Sequence, residues 1–196
     1  KWRQLHLGNV DQWQNSYLMF EYVGKYNYDY TEVMPNVARD WEFSNGARKV
    51  TIYLREGMKW SDGEPFTTED VRFWWEDVIL NDELTPTKPG QYKRAGKLAE
   101  LTIVDETTYS FEWDEPYGLF EEHLATQMMW QPAHYLKQFH PSYTDKTEIE
   151  QKMKAADYDS WTDYYGAQTM AFNNPGTPEI MAWIVQNNYD EPVQIL

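Results

Sequence analysis

Apolar and polar positions follow two different periods along this chain. From Val50 to Leu54 they alternate residue by residue: Val50, Ile52 and Leu54 share one side, Thr51 and Tyr53 the other. That is the pattern of a half-buried strand. From Val71 the period lengthens. Val71, Trp74, Trp75, Val78 and Ile79 stand at i, i+3, i+4, i+7 and i+8, which places them on one helical face. Between the two runs lie Ser61-Asp62-Gly63, which is turn chemistry, and then a helix start. Thr67 is placed to cap, Asp70 three residues on can complete a capping box, and Phe66 and Val71 stand where a hydrophobic staple would put them. The pattern predicts a strand, a turn and a helix over Thr68 to Leu80.

The flanks extend this unit. Trp13, Tyr17, Phe20 and Gly24 recur at helical spacing and predict a helix over Asp11 to Val23. Trp41 to Phe43 reads as a strand. Ser44-Asn45-Gly46 signals a two-residue hairpin loop, so Arg48 to Arg55 is the expected partner. Pro86, Pro89 and Gly90 break the connector from Asn81 to Leu98. Leu101 to Val104 and Thr108 to Trp113 read as a second hairpin. Helices are expected over Tyr117 to Met128 and after Pro132, with another capping box at Thr147 and Glu150. The fold class is α+β, with mixed or antiparallel sheets flanked by helices.

Composition narrows the function. The 196 residues suffice for one domain or two small ones. A net charge of −15 argues against nucleic-acid binding and against electrostatic attachment to an anionic membrane. There is no cysteine, so disulfides and thiolate metal sites are excluded. No apolar run reaches membrane-spanning length, and no leader pattern opens the chain. The first residues, Lys1-Trp2-Arg3, read as the start of a processed or excised piece. Aromatic residues make up 17% of the chain, enough both to fill a core and to line a ligand site.

Catalytic and metal chemistry finds little support. His6, His123, His134 and His140 lack metal-ligand spacing, and no cofactor is expected. Glycine loops for phosphate and serine nucleophile elbows are absent. A carbohydrate-active enzyme is the rival with most substance, because Glu69/Asp70, Glu76/Asp77 and Glu121/Glu122 could supply paired carboxylates. Simpler roles exist: Asp70 as cap, Glu69 at a helix start, Glu76 paired with Arg72. A non-catalytic protein-interaction domain is the third reading.

Several ordered stretches resemble the family 5 extracellular solute-binding proteins, the receptors of peptide- and nickel-type ABC importers. They are Pro35-Asn36-Val37-Ala38-Arg39-Asp40-Trp41, Leu54-Arg55, Gly57-Met58-Lys59-Trp60-Ser61-Asp62-Gly63, Pro65-Phe66-Thr67-Thr68-Glu69-Asp70-Val71, Ile103-Val104-Asp105-Glu106-Thr107-Thr108-Tyr109-Ser110-Phe111, Glu115-Pro116 and Gln131-Pro132-Ala133-His134-Tyr135-Leu136. The resemblance implies a periplasmic-binding-protein-like class II receptor, whose two lobes close over an oligopeptide or oligosaccharide and then dock on permease subunits. It implies a periplasmic or extracellular location, with membrane contact only through the permease or a lipid anchor that this chain lacks. It implies residues 1–40 as an N-terminal segment of the first lobe, 41–170 as a small peripheral α+β domain and 171–196 as a return segment, with the second main lobe absent from the chain. By the same resemblance Asn9 and Trp13 are cleft candidates, although Trp13 also fits as a packed helix residue. Tyr92 is a further candidate, with a solvent-facing loop tyrosine as its alternative. Near the end two expectations compete. Propensity favours a helix over Pro178 to Asn187; the resemblance implies an extended approach to a strand over Pro192 to Leu196.

Overall fold

The computed structural model describes residues 21–169 and 174–181. The expected helix over 11–23 lies outside this range except for Glu21–Val23, which are not helical and lead into strand β1 (Gly24–Tyr26). Strand β1 pairs with β2 (Val33–Pro35) as a separate two-stranded hairpin.

The two expected hairpins form and then join into one sheet. Strands β3 (Ala38–Ser44) and β4 (Lys49–Leu54) pair antiparallel, as do β7 (Glu100–Ile103) and β8 (Thr108–Glu112). Strand β4 also pairs with β8, giving the order β3-β4-β8-β7. Every pairing among the described strands is antiparallel. A small hairpin of β5 (Lys93–Arg94) and β6 (Lys97–Leu98) precedes β7. The alternation in β4 is realised: Val50, Ile52 and Leu54 are buried, while Thr51 and Tyr53 face the other way and are half-buried.

Two details of the sheet depart from the sequence reading. The β3–β4 loop has four residues, because Ser44 pairs with Lys49. Asn45 and Gly46 take the positive φ that their types favour, but Ala47 follows at φ 62. Contacts with a distant segment draw the loop out: the Ala47 carbonyl accepts from the Tyr117 N–H at 2.7 Å and the Arg48 carbonyl from the Trp113 N–H at 2.8 Å. The second departure is a β-bulge in β3. Ala38 pairs with Leu54 but Asp40 pairs with Tyr53, so Arg39 is an extra residue. The bulge changes the parity of the strand. Ala38 is buried on the inner face, and three residues later Trp41 is inner again, packed with Phe43 against the core.

The expected helix begins at its capping box. Helix α1 (Thr68–Phe73) is capped by Thr67, with the Asp70 carboxylate accepting the Thr67 N–H at 3.0 Å. Beyond Phe73 the backbone widens into a π-helix over Trp74–Ile79, closed by the Leu80 N–H on the Trp75 carbonyl at 2.9 Å. This segment was expected to be α-helical. Through these turns one helix serves two cores. Val71, Trp74, Trp75 and Ile79 enter a cluster with the inner face of the sheet, Tyr92, Phe120 and Trp130. Phe73 and Val78 enter a second cluster with Ala133, Leu136, Phe139, Ile149, Met153, Tyr164 and Tyr165.

The remaining helices are shorter than the pattern suggested. Helix α2 covers only Phe120–Leu124 of the expected span to Met128, and the Thr126 hydroxyl donates to the Glu122 carbonyl where the helix ends. Helix α3 (Ala133–Leu136) follows Pro132 and continues as a 3-10 turn over Lys137–Phe139. Helix α4 (Lys146–Ala155) is capped by Asp145, whose carboxylate accepts the Thr147 N–H at 2.8 Å, so Thr147 lies inside the helix instead of capping it. Helix α5 (Trp161–Gln168) is capped by Ser160. Pro178–Ile180 are not helical, which removes the start of the helix that propensity favoured. The expected strand over 192–196 lies outside the described residues.

Candidate functional site

A polar seam separates the two cores, and Asp70 is its centre. The Asp70 carboxylate is 3% exposed and accepts three N–H groups: Thr67 N at 3.0 Å, Trp60 Nε1 at 3.1 Å and Ala133 N at 3.0 Å. Its backbone carbonyl also accepts the Gln131 N–H at 3.2 Å. One side chain thereby caps α1, fixes the Trp60 indole in the sheet-side cluster and holds the start of α3 in the helical cluster. Burial pushes its carboxyl above the ordinary 3.8, against the opposing pull of the three N–H groups.

The Ser61-Asp62-Gly63 turn forms the outer edge of the seam. Asp62 Oδ2 meets His134 Nε2 at 2.9 Å, and the His134 ring lies 6.1 Å from that of Trp60. The His134 hydrogen bond and the Glu64 N–H hold the Asp62 carboxyl below its usual range despite partial burial. The segment from Asn174 onward then crosses the seam. The Ser61 N–H donates to the Glu179 carbonyl at 3.0 Å, and Ser61 Oγ accepts the Glu179 N–H at 3.0 Å. Asn174 Nδ2 donates to the Tyr135 hydroxyl at 2.8 Å, and the Thr177 hydroxyl donates to the Gln168 carbonyl at 2.8 Å. Ile180 packs on the sheet-side core. The turn is therefore a docking point for the segment 174–180.

The sequence-derived candidates do not converge here. Asn9 and Trp13 lie outside the described residues. Tyr92 is 2% exposed in the sheet-side core, its ring against Trp74, Trp75, Phe111 and Phe120. This is neither a solvent-facing loop tyrosine nor a ring with a face open to a ligand. Five of the six carboxylates in these pairs are held in structural contacts among the described residues, Glu122 being the exception. Glu69 bonds Arg72 and Lys137, Glu76 bonds Arg72, Asp77 accepts the Tyr143 hydroxyl, and Glu121 accepts the Trp41 indole N–H. His123 meets the Tyr117 hydroxyl at 3.0 Å, and the buried His140 lies 3.2 Å from the Asp77 carbonyl. Among the described residues no cluster of His, Asp or Glu could hold a metal ion, and no helix is long and apolar enough to cross a membrane. Sequence reading found Asp70 as a cap and missed its links to Trp60 and Ala133. The signal available was a Trp, an Asp and a Pro-opened helix recurring among the resembled segments.

An antiparallel sheet backed by two helical clusters is an architecture shared with periplasmic binding proteins. The chain matches an oligopeptide-binding protein OppA with a TM-score of 0.86 and 33% identity, over 97% of this chain and 30% of that one. It matches the fold of a periplasmic binding protein MelB from Agrobacterium fabrum, solved with stachyose, with a TM-score of 0.65 and 24% identity, over 91% of this chain and 25% of that one. The profile described as bacterial extracellular solute-binding proteins, family 5 Middle, matches residues 32–175, and the chain belongs to that family. The periplasmic alpha-galactoside-binding protein of Rhizobium meliloti is 36% identical over 128 residues, 63% of this chain and 18% of its own length. The periplasmic oligopeptide-binding protein OppA of Salmonella typhimurium is 40% identical over 68 residues, 34% of this chain and 12% of its own. The chain spans no more than a fifth of the length of the curated relatives it matches.

Proposed function

We propose that this chain belongs to the substrate-binding component of an ABC importer, which captures oligopeptides or oligosaccharides outside the cytoplasmic membrane and delivers them to permease subunits. The observation that carries this reading is family membership over residues 32–175, joined to relatives that bind α-galactosides and oligopeptides. The role is binding and not turnover, which accords with Glu69, Asp70, Glu76, Asp77 and Glu121 already being occupied by structural partners. Residues 41–170 would form the small peripheral domain, with 1–40 entering it from the main lobe and 171–196 returning to it. Asn9 and Trp13 would face the interlobe cleft, and Tyr92 would serve packing alone. Closure of two lobes about a hinge would convert ligand capture into a surface that the permease reads. The hydrogen bonds between Ser61 and Glu179 would hold such a return segment against the domain.

The test uses the protein encoded by the full reading frame that contains this chain. It is titrated calorimetrically with a tripeptide and with an α-galactoside, and the galactoside is then assayed for cleavage. Saturable binding of one class, with the sugar intact and affinity weakened by Trp13→Ala, is the expected result. Hydrolysis of the galactoside, or no binding of either class, would overturn it.

A further inference from the structure

The bulge in β3 builds a second feature, on the sheet face opposite the core. An unbroken strand would alternate Arg39 and Asp40 between the two faces. The extra residue sends both to the side of Tyr53. Together the three line an open surface depression of about 330 Å³. The Arg39 guanidinium lies 5.7 Å from the Tyr53 ring centroid, which orders it by cation–π attraction. Among the described residues Arg39 has no hydrogen-bond or ion-pair partner, so its planar fork of N–H donors is presented to solvent. Beside it, Asp40 Oδ1 accepts the Trp41 N–H at 2.9 Å, which fixes the carboxylate and leaves Oδ2 as an acceptor.

The three groups select a ligand chemistry. A donor fork, a carboxylate and an aromatic ring side by side suit a molecule whose neighbouring groups both donate and accept. Vicinal hydroxyls on a sugar ring do so, and its C–H face can lie against the aromatic edge. An anion would meet Asp40 and a protein of net charge −15. A cation would meet Arg39. We propose that the Arg39–Asp40–Tyr53 depression, on the sheet face opposite the core, is a binding site for a neutral saccharide. The assignment does not depend on which ligand the receptor transports.

The 196-residue chain is titrated with methyl α-galactoside, and the Arg39 Nε–H and Tyr53 ring resonances are followed by NMR. Acetate and N-acetylglycinamide serve as anion and amide probes. The expected result is a saturable shift at both residues with the sugar and a smaller response to either probe. Arg39→Lys keeps the charge but loses the planar fork, and should weaken binding about tenfold or more. Tyr53→Phe keeps the ring and should bind as the parent does. All three side chains lie on the sheet surface, and an unchanged amide spectrum confirms that each variant is folded. If Arg39→Lys does not fold, Asp40→Asn serves in its place and should also weaken binding. No saturable shift, an undiminished shift in the folded variant, or a stronger response to acetate or to the amide would overturn the proposal.

Discussion

Replacing Asp70 by alanine tests the seam most directly. The change leaves the N–H groups of Thr67, Ala133 and the Trp60 indole without their acceptor in a site that is 3% exposed. Hydrogen bonds to a charged acceptor contribute about 1.5–3 kcal/mol each, so three would total about 4.5–9 kcal/mol. The carboxylate's own burial offsets part of this, as its raised titration shows. Removing one partner from a buried charged network costs about 3–5 kcal/mol, and that is the loss expected for Asp70→Ala. A domain with a total stability of about 5–15 kcal/mol would be left marginal. Asp70→Asn should cost less, about 1.5–3 kcal/mol, because the amide oxygen can keep the Thr67 and Trp60 donors while its NH₂ opposes Ala133. Urea unfolding followed by tryptophan fluorescence measures both, with Trp60→Phe completing a double-mutant cycle. A loss below about 1 kcal/mol for Asp70→Ala, or no coupling to Trp60, would refute the reasoning.

Three further outcomes follow from the same geometry. Hydrogen bonds from Arg72, aided by Lys137, hold Glu69 down at about 2 from its ordinary 4.5. The stability it contributes is complete above pH 4.5 and lost as pH falls towards 2, reduced in size by solvent screening. Glu69→Gln should flatten the acid limb of the stability profile in that window, and superimposable profiles would refute this. Tyr109 buries a hydroxyl that makes no hydrogen bond among the described residues, so Tyr109→Phe should raise the urea midpoint by an amount equivalent to about 1 kcal/mol. A Cβ at Gly24 would stand 2.7 Å from Val33 Cγ1 and 3.0 Å from the Met34 carbonyl oxygen. Gly24→Ala should therefore cost about 1–3 kcal/mol, and a neutral thermal shift would show that the β1–β2 hairpin yields instead.

What could be read in the sequence was local. The Val50–Leu54 alternation, the Thr67 cap and both long hairpins carry their signals within a few residues. The joining of β4 to β8 does not, because Lys49 and Glu112 meet only when the chain closes on itself. The π-helix was hidden for a related reason. Spacing of i+3 and i+4 is shared by any helix over two turns, and the wider turn shows only in hydrogen bonds such as Leu80 N–H to the Trp75 carbonyl, five residues back. The bulge at Arg39 did leave a trace in the sequence: Ala38 and Trp41 are both inner-face residues of one strand at the wrong parity. Tyr92 was misplaced because its polar, proline-broken setting reads as a surface loop, while its ring folds back into the aromatic core. For the seam, the cap was legible and the partners of Asp70 were not. Trp60 and Ala133 reach it from 10 and 63 residues away.

The helix shared by the two clusters bears on how the domain breathes. A segment whose opposite sides are committed to different cores cannot be released by opening either one alone. Amide protons along Thr68–Ile79 should therefore exchange with solvent only through global unfolding, at the slowest rates in the domain. The β1–β2 hairpin, paired only within itself, should exchange through local opening. A chain built this way would hold the sheet and both clusters as one cooperative block.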